Sequence, residues 1–253
     1  MVGTDKIAND LFLAYQTKTP ITTNPLIENH DIAYQIQSLM TRKLGKRIGW
    51  KVGVDAQGTF VRAPMFQRTL FQNHAEVKRS LFNRCLVESE LAIIFKETMA
   101  TKTFTIEQIL HNILSINVGI EICDSRLQNW PNCEANLQLA DSLTHGGYII
   151  GSGVSAIQKP LNFDMLKHGD FSIQIGTENI SPRFFLQNCR EHPFKDISKI
   201  ILWLVNDLIS KNDTINAGDI ITTGSFSGST PIEQGEKTVV AFKDIGEAIV
   251  KFV

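Results

Sequence analysis

The feature that most constrains this chain is an apolar run, residues 86–95, that is interrupted by two glutamates. Glu88 and Glu90 lie one residue apart within it. The run has the length and apolar content of a buried β-strand. Because side chains alternate between the two faces of a strand, both glutamates point the same way, about 7 Å apart. Carboxylates that share a buried face repel each other and lose hydration, so a cation is the partner that stabilises them best.

A third acid lies in a second apolar run. Residues 116–123 read as another strand, in which Glu121 and Gly119 share the face opposite the apolar side chains. Three carboxylates from two strands match the oxygen ligands that hard divalent ions such as Mg²⁺ or Mn²⁺ prefer. The alternative is a solvated face of an antiparallel sheet, since nothing in the sequence proves that the two strands are neighbours.

Composition limits the classes of function that remain open. The chain has 253 residues, 43% of them hydrophobic and 20% charged, with a net charge of -1. These values are typical of a globular protein, and they give no excess of basic residues that would indicate binding to nucleic acid or to a membrane surface. The first residues carry acid and base too early for a secretory signal, and no stretch approaches a membrane span. The sequence therefore predicts a cytoplasmic protein.

The cysteines and histidines show no metal-binding spacing of their own. The four cysteines, at positions 85, 123, 133 and 189, form no C-x-x-C pair, so we expect free thiols, mostly buried. His145, His168 and His192 have no companion at ligand spacing. We expect these histidines at the surface or at helix caps.

Periodicity predicts a small helical N-terminal part followed by a strand-rich body, an α+β organisation divided at residues 1–75 and 76–253. Helices are predicted over residues 7–15, from Asp31 to Gly45, from the capping box at Thr105 as far as Ile113, and after Pro193 as far as Leu208. Strands are predicted at 48–53, around Ile173, Ile220 and Val239, and at 248–252. The segment from Asp55 to Phe71 contains Gly58 and Pro64 and is predicted to be a loop.

The order of the motifs is more specific than any one of them. In chain order they are Ala33-Tyr34-Gln35-Ile36-Gln37, Gly49-Trp50-Lys51-Val52-Gly53, Glu88-Ser89-Glu90, residues 119–126 (GIEICDSR), His192-Pro193 with Trp203-Leu204, and residues 217–225 (AGDIITTGS). This series resembles the 2-hydroxypenta-2,4-dienoate (2-oxopent-4-enoate) hydratase and 4-oxalocrotonate decarboxylase family of the fumarylacetoacetate hydrolase superfamily. The resemblance runs from about residue 30 to the end of the chain.

The resemblance implies a mixed β-roll or sandwich with a helical N-terminal part, assembled as a homo-oligomer. It implies Mg²⁺ or Mn²⁺ held by Glu88, Glu90 and Glu121, in agreement with the strand pattern. It also implies a short 2-oxo or 2-enol carboxylic acid as substrate. The carboxylate and C2 oxygen of such an acid can chelate the metal, which stabilises enolate charge while water adds to the diene.

The resemblance also assigns roles to polar residues outside the carboxylates. Lys51 lies on a glycine-flanked strand, where it is implied to clamp the substrate carboxylate or to donate a proton. The alternative for Lys51 is a side chain that reaches solvent. Thr223 and Ser225 are implied to contact substrate from the turn after a strand, and a plain turn is the alternative there. Thr144 is a further candidate for substrate contact. Asp124 and Arg126 are expected to pair with each other or to orient Glu121.

Two segments depart from the family pattern. Met65 stands where the family carries an aspartate between a proline and an aromatic residue, and methionine can neither move a proton nor position water. Residues 142–146 read SLTHG in place of a run of asparagine, alanine and serine. The metal-chelating half therefore matches the family, whereas the proton-handling half is altered. Hydration is the expected activity; the alternatives are decarboxylation or C–C hydrolysis of a 2-oxo acid, or a binding or partner subunit without turnover.

Overall fold

Two β-sheets and a helical cluster at the N-terminal end make up the fold, as the predicted α+β organisation requires. The computed structural model describes residues 3–158, 160–192 and 194–253. Pro193, which was predicted to open a helix, lies outside the described residues. No helix within the described ranges is both long and apolar enough to span a membrane.

The helices of the described chain are short. They are α1 (Thr4–Thr17), α2 (His30–Leu44), α3 (Ile106–His111), α4 (Ala135–Ala140) and α5 (Ile197–Ser210).

The strands account for most of the remaining regular structure. They are β1 (Arg47–Val54), β2 (Phe60–Phe66), β3 (Leu70–Gln72), β4 (Ala75–Val77), β5 (Leu86–Phe95), β6 (Ile113–Cys123), β7 (His145–Ser155), β8 (His168–Gly176), β9 (Phe184–Glu191), β10 (Ile220–Thr222), β11 (Thr230–Pro231), β12 (Lys237–Phe242) and β13 (Gly246–Phe252).

The larger sheet has eight strands in the order β2-β1-β10-β5-β6-β7-β3, with β11 paired to β5. The second sheet has five strands in the order β4-β13-β12-β8-β9. Residues 1–75 contribute β1, β2 and β3 to the larger sheet, so strands from both parts of the predicted division share one layer.

The main core lies between the two sheets and beneath α5. Every second residue of β5 and β6 is buried in this core, including Leu91, Ile93, Val118 and Ile120. The second sheet and α5 supply further buried side chains, among them Ile173, Val240, Val250 and Leu204. Because one face of β5 and β6 is fully committed to this core, the opposite face is fixed as the one that carries the glutamates.

Helices α1, α2 and α4 form a separate apolar cluster over β2. Ile7, Leu11, Ile36, Met40 and Leu137 are buried in it. Gly45 caps the C-terminus of α2 at the predicted position. This cluster anchors β2 and therefore supports the side of the sheet that carries β1.

Only residues 55–59 of the segment from Asp55 to Phe71 form a loop; for the rest of the segment the prediction is wrong. From Phe60 onwards the chain forms β2, a 3₁₀ turn and the start of β3. Pro64 suggested a break, but β2 is the edge strand of its sheet, where a residue without an N–H is tolerated. The burial of Phe66 and Met65 stabilises this strand despite the proline.

Two helices have bounds that differ from the sequence prediction. The capping box of Thr105 and Gln108 is present, but α3 ends at His111 and Ile113 already belongs to β6. The Asn112 side chain ends α3, because it exchanges two hydrogen bonds of 2.9 Å with the backbone of Glu97. Helix α5 begins at Ile197, since the Asp196 side chain accepts a hydrogen bond from the backbone of Ser198 and caps it there.

Gly119 provides the space that Tyr148 occupies on the neighbouring strand. A Cβ at position 119 would lie 1.9 Å from the Tyr148 hydroxyl oxygen. Tyr148 is fully buried. A side chain at 119 is therefore incompatible with this ring position.

We expect Gly119→Ala to lower the free energy of unfolding by about 1–3 kcal/mol, the usual cost of overpacking. Gly53→Ala is the matched control, because a Cβ there would meet its nearest atoms at 3.7 and 3.8 Å, which is ordinary contact. Urea denaturation of both variants measures the difference. Equal stability of the two variants would contradict the packing role of Gly119.

Candidate metal centre

The register of β5 and β6 brings the predicted carboxylates together. The strands pair antiparallel, with Glu88 directly opposite Glu121 and Glu90 opposite Gly119. Side chains of directly opposed residues project from the same face of a sheet. Glu88, Glu90 and Glu121 therefore share one face, on the side away from the core.

This face has an apolar half beside the carboxylates. Met65, Ala92, Tyr148 and Ile220 form a small buried cluster there. Ala92 follows Glu90 on the same face of β5, and Tyr148 pairs with Glu121 across β6 and β7. The carboxylates consequently adjoin a dry wall that can exclude water from one side of the site.

Lys51 and His145 converge on one oxygen of Glu121. The ammonium of Lys51 lies 2.9 Å from Glu121 Oε1, and Nδ1 of His145 lies 3.1 Å from the same oxygen. The Lys51 side chain is 12% exposed and does not extend into solvent. Glu121 Oε2 has no hydrogen-bond partner among the described residues and is free to take another ligand.

The electrostatics of Glu121 and Lys51 follow from this contact. Burial opposes ionisation of Glu121, but Lys51 and the hydrogen bond to His145 outweigh it and hold the pKa of Glu121 below its usual value. Burial also opposes the charge on Lys51, yet the field of Glu121 and its neighbours raises the pKa of Lys51 above its usual value. This pair is therefore ionised at neutral pH.

The pKa of Glu90 is shifted in the opposite direction to that of Glu121. It is fully buried, and neither of its carboxylate oxygens has a hydrogen-bond partner among the described residues. Burial raises the pKa of Glu90 well above its usual value, and the negative charge of Glu121 raises it further. Burial likewise raises the pKa of Glu88, which is only partly enclosed.

A divalent cation fits this arrangement. Three carboxylates meet the single ammonium of Lys51, so full ionisation leaves two negative charges in a buried site. The unpartnered oxygens of Glu90 and Glu121 supply hard ligands for such an ion. Glu88, Glu90 and Glu121 are the residues that would hold it.

A thiol that was not among the predicted site residues also belongs to this cluster. Glu88, Glu121 and Cys123 can each place one ligand atom so that all three lie within 4.8 Å of one another. Cys123 follows Glu121 on the same face of β6. The period of two that predicted the face of Glu88 and Glu90 could have identified it.

His145 is buried, contrary to the expectation of a surface or capping position. Its backbone carbonyl accepts a hydrogen bond from Arg126 Nη1, and Arg126 in turn forms a buried ion pair with Asp141. The expected pair of Asp124 with Arg126 is absent from the described contacts, because the guanidinium of Arg126 pairs with Asp141 instead. Asp124 accepts a hydrogen bond from the backbone of Arg84. Arg126 is therefore linked to Glu121 through His145.

The predicted substrate-contacting hydroxyls make local hydrogen bonds. Thr223 Oγ1 donates to the carbonyl of Leu91 at 2.8 Å. Ser225 Oγ accepts from the backbone of Gly228, and Thr144 Oγ1 donates to the carbonyl of Leu143. Their contact with a substrate stays a prediction.

Thr222 carries a further hydroxyl at this centre, and it was not among the predicted site residues. It is fully buried, and its oxygen has no partner among the described residues. It pairs with Ala92, which places it on the carboxylate face next to the position of Lys51. It is therefore better placed than Thr223 to meet a ligand at this centre.

A cavity of about 630 Å³ lies elsewhere, beside α2 and the start of β1. Arg47 and Arg62 stack over the Trp50 ring there, and each is paired with an aspartate, Asp213 or Asp207. None of the carboxylates described above lines this cavity. Its charged walls are internally compensated and join α2, β1 and α5.

Comparison with known proteins supports the same family as the motifs. No family model matches the chain. Two curated relatives, 2-keto-4-pentenoate hydratases 2 and 1 of Dechloromonas aromatica (strain RCB), are each 23% identical over 249 and 248 residues. These alignments cover 92% of this chain and 90% and 89% of the relatives. Over nearly its whole length the chain is therefore similar to curated 2-keto-4-pentenoate hydratases, in agreement with the family that its motifs resemble.

A solved structure bears out the predicted fold of this family. The 4-oxalocrotonate decarboxylase from Pseudomonas putida G7, complexed with magnesium and adipate, superposes with a TM-score of 0.81 at 16% identity. The alignment covers 99% of this chain and 97% of that one. The fumarylacetoacetate-hydrolase-like sheet sandwich predicted from the motifs is confirmed.

We expect the metal-free protein to lose stability as the pH rises above the usual carboxyl range. The raised pKa of Glu90 means that the native state holds a proton which the unfolded chain has already released near pH 4.3. The free energy of unfolding therefore falls with pH between the unfolded and the folded pKa. Urea titrations in chelator across this range measure the slope.

Glu90→Gln should flatten this slope, whereas Glu76→Gln, at an exposed position, should leave it unchanged. Glu121 acts in the opposite sense, because its lowered pKa adds stability that is lost only as the pH falls through that pKa. A slope in Glu90→Gln equal to that of the unsubstituted protein would contradict the assignment to Glu90.

Proposed function

We propose that the chain is a divalent-metal-dependent hydratase that adds water to a short 2-hydroxy-2,4-dienoate, or to its 2-oxo-alkenoate tautomer. The observation that carries this proposal is the set of unpartnered, buried carboxylate oxygens on Glu90 and Glu121 beside Lys51. The names of the two curated relatives support the same substrate class. The product from 2-hydroxypenta-2,4-dienoate would be 4-hydroxy-2-oxopentanoate.

Glu88, Glu90 and Glu121 would hold the ion, which we propose to be Mg²⁺ or Mn²⁺. The magnesium of the similar decarboxylase structure supports a divalent ion at such a site. When bound, such an ion supplies Lewis-acid stabilisation for negative charge that develops on the C2 oxygen of the substrate. The buried carboxylates would retain the ion, because leaving them uncompensated is costly.

Lys51 would bind the substrate carboxylate through its ammonium group, which the surrounding acids keep protonated. This contact fixes the substrate head next to Glu121. Lys51 is also the candidate proton donor, since Met65 cannot transfer a proton. The apolar cluster of Met65, Tyr148 and Ile220 would line the substrate tail and keep bulk water from that side.

We expect the full-length protein to consume 2-hydroxypenta-2,4-dienoate only when Mg²⁺ or Mn²⁺ is present, followed as loss of the dienol absorbance. Glu90→Gln should lower kcat/KM by at least about 100-fold, because a ligand of the ion is lost. Glu76→Gln keeps all three carboxylates and should match the unsubstituted protein. Metal-independent turnover, or an unimpaired Glu90→Gln variant, would contradict the proposal.

Decarboxylation of a 2-oxo dicarboxylic acid is the second candidate. The observation that favours it is the complete burial of Met65 among apolar side chains, where the family pattern carries an acid. Loss of carbon dioxide leaves the same enolate without prior proton transfer from that position. The same metal-binding residues would serve both reactions.

Product analysis separates the two candidates. If decarboxylation is the activity, 4-oxalocrotonate should release carbon dioxide in a metal-dependent reaction, while 2-hydroxypenta-2,4-dienoate stays unchanged. Met65→Leu conserves the apolar wall and should retain turnover within about threefold in either case. Release of carbon dioxide that survives Glu90→Gln would argue against this site as its origin.

Homo-oligomeric assembly stays a prediction. Size-exclusion chromatography with light scattering would test it, and a monomer at micromolar concentration would contradict it.

A further inference from the structure

Cys123 occupies a position on β6 from which its sulfur can reach the metal centre. It is the last residue of the strand, two residues after Glu121, and its side chain is buried. One ligand atom each of Glu88, Glu121 and Cys123 fits within 4.8 Å of the others, a spacing that a single ion can bridge. Glu90 does not belong to this triplet.

The contacts of Cys123 tie it to the carboxylates. Its sulfur lies within 4.8 Å of a carboxylate oxygen of Glu88, which sits directly opposite Glu121. Lys51 and all three glutamates lie close enough to act on it electrostatically. The sulfur therefore faces the same buried centre as the unpartnered oxygens of Glu90 and Glu121.

Sulfur changes the ions that such a centre prefers. Carboxylates alone suit Mg²⁺, Ca²⁺ or Mn²⁺, whereas a thiolate selects softer ions such as Zn²⁺. A mixed oxygen and sulfur set suits borderline divalent ions, with Co²⁺ as a spectroscopic substitute. A ligand this close to the carboxylates affects the choice of ion as well as its affinity.

We propose that Sγ of Cys123 is a further ligand of the divalent ion at this centre, in addition to Glu88, Glu90 and Glu121, and that it makes the site prefer a borderline transition-metal ion over Mg²⁺. This inference rests on the proposed function, because it requires that the carboxylates bind a metal. On binding, the metal–sulfur bond replaces the S–H bond, and the proton leaves to solvent.

The experiment is a titration of the metal-free, full-length protein with Co²⁺ alone, followed in the near ultraviolet. A thiolate ligand produces a sulfur-to-cobalt charge-transfer band that oxygen ligands do not produce. We expect the band to saturate at one equivalent. It should be absent from Cys123→Ser and present in Cys189→Ser, which removes an exposed thiol that could bind cobalt adventitiously.

Calorimetric titrations with Zn²⁺ and Mg²⁺ test the preference. Cys123→Ser should weaken Zn²⁺ binding at least about tenfold. It should change Mg²⁺ affinity by less than about threefold, because Mg²⁺ prefers oxygen ligands and binds sulfur weakly. Cys123→Val, which is apolar and buried like the thiol, repeats the test if the serine variant fails to fold.

The outcomes distinguish this inference from the proposed function. Cobalt bound at one equivalent without the band, or with a band that survives Cys123→Ser, overturns the role of Cys123 and leaves the carboxylate site intact. Failure of Co²⁺, Zn²⁺, Mn²⁺ and Mg²⁺ to bind at all overturns both. A band lost in Cys123→Ser and in Glu121→Gln, but retained in Cys189→Ser, supports both.

Discussion

The direct opposition of Glu88 and Glu121 across β5 and β6 is the constraint on which the functional centre depends. Like charges directly opposite each other destabilise a sheet, and burial adds the cost of lost hydration. The fold keeps this pair because the other faces of both strands are committed to the core, so a register slip would bury the glutamates there. The arrangement persists only if positive charge is supplied on the carboxylate face.

Lys51 supplies part of this charge from β1. β10 has three residues, and its parallel pairing with β1 covers Gly49 and Trp50. Lys51 is the next residue of β1, on the face that Glu121 shares. Its ammonium reaches Glu121 at 2.9 Å.

The sequence allowed the faces of the strands to be predicted, but not their register. Glu88 and Glu90 share a face because alternation is a property of the extended backbone. Which residue of β6 opposes Glu88 depends on the connection through α3, where Asn112 binds the backbone of Glu97 and sets the start of β6. No periodicity in the sequence carries that information.

Contacts between residues that are distant in sequence could not be predicted from local patterns. His145 reaches Glu121 from the start of β7, after three successive residues with positive φ, Ser142, Leu143 and Thr144. Such a backbone is unfavourable for side chains larger than glycine, so local propensity gives no signal for it. The ion pair of Arg126 with Asp141 supports it from a neighbouring segment. The loop predicted around Pro64 failed for a related reason, since an edge position in the sheet decides whether proline is tolerated.

The two ends of the carboxylate face have different physical requirements. At one end, Tyr148 fits against Gly119 and packs with Met65, so the wall is rigid and apolar. At the other end, Glu121 binds Lys51 and His145 through one oxygen, which leaves its second oxygen and the carboxylate of Glu90 directed to the centre. Glu121 is thereby ionised in advance, whereas Glu90 holds its proton until positive charge arrives. Any cation that binds must displace that proton, so its affinity increases with pH even though Glu121 is already charged.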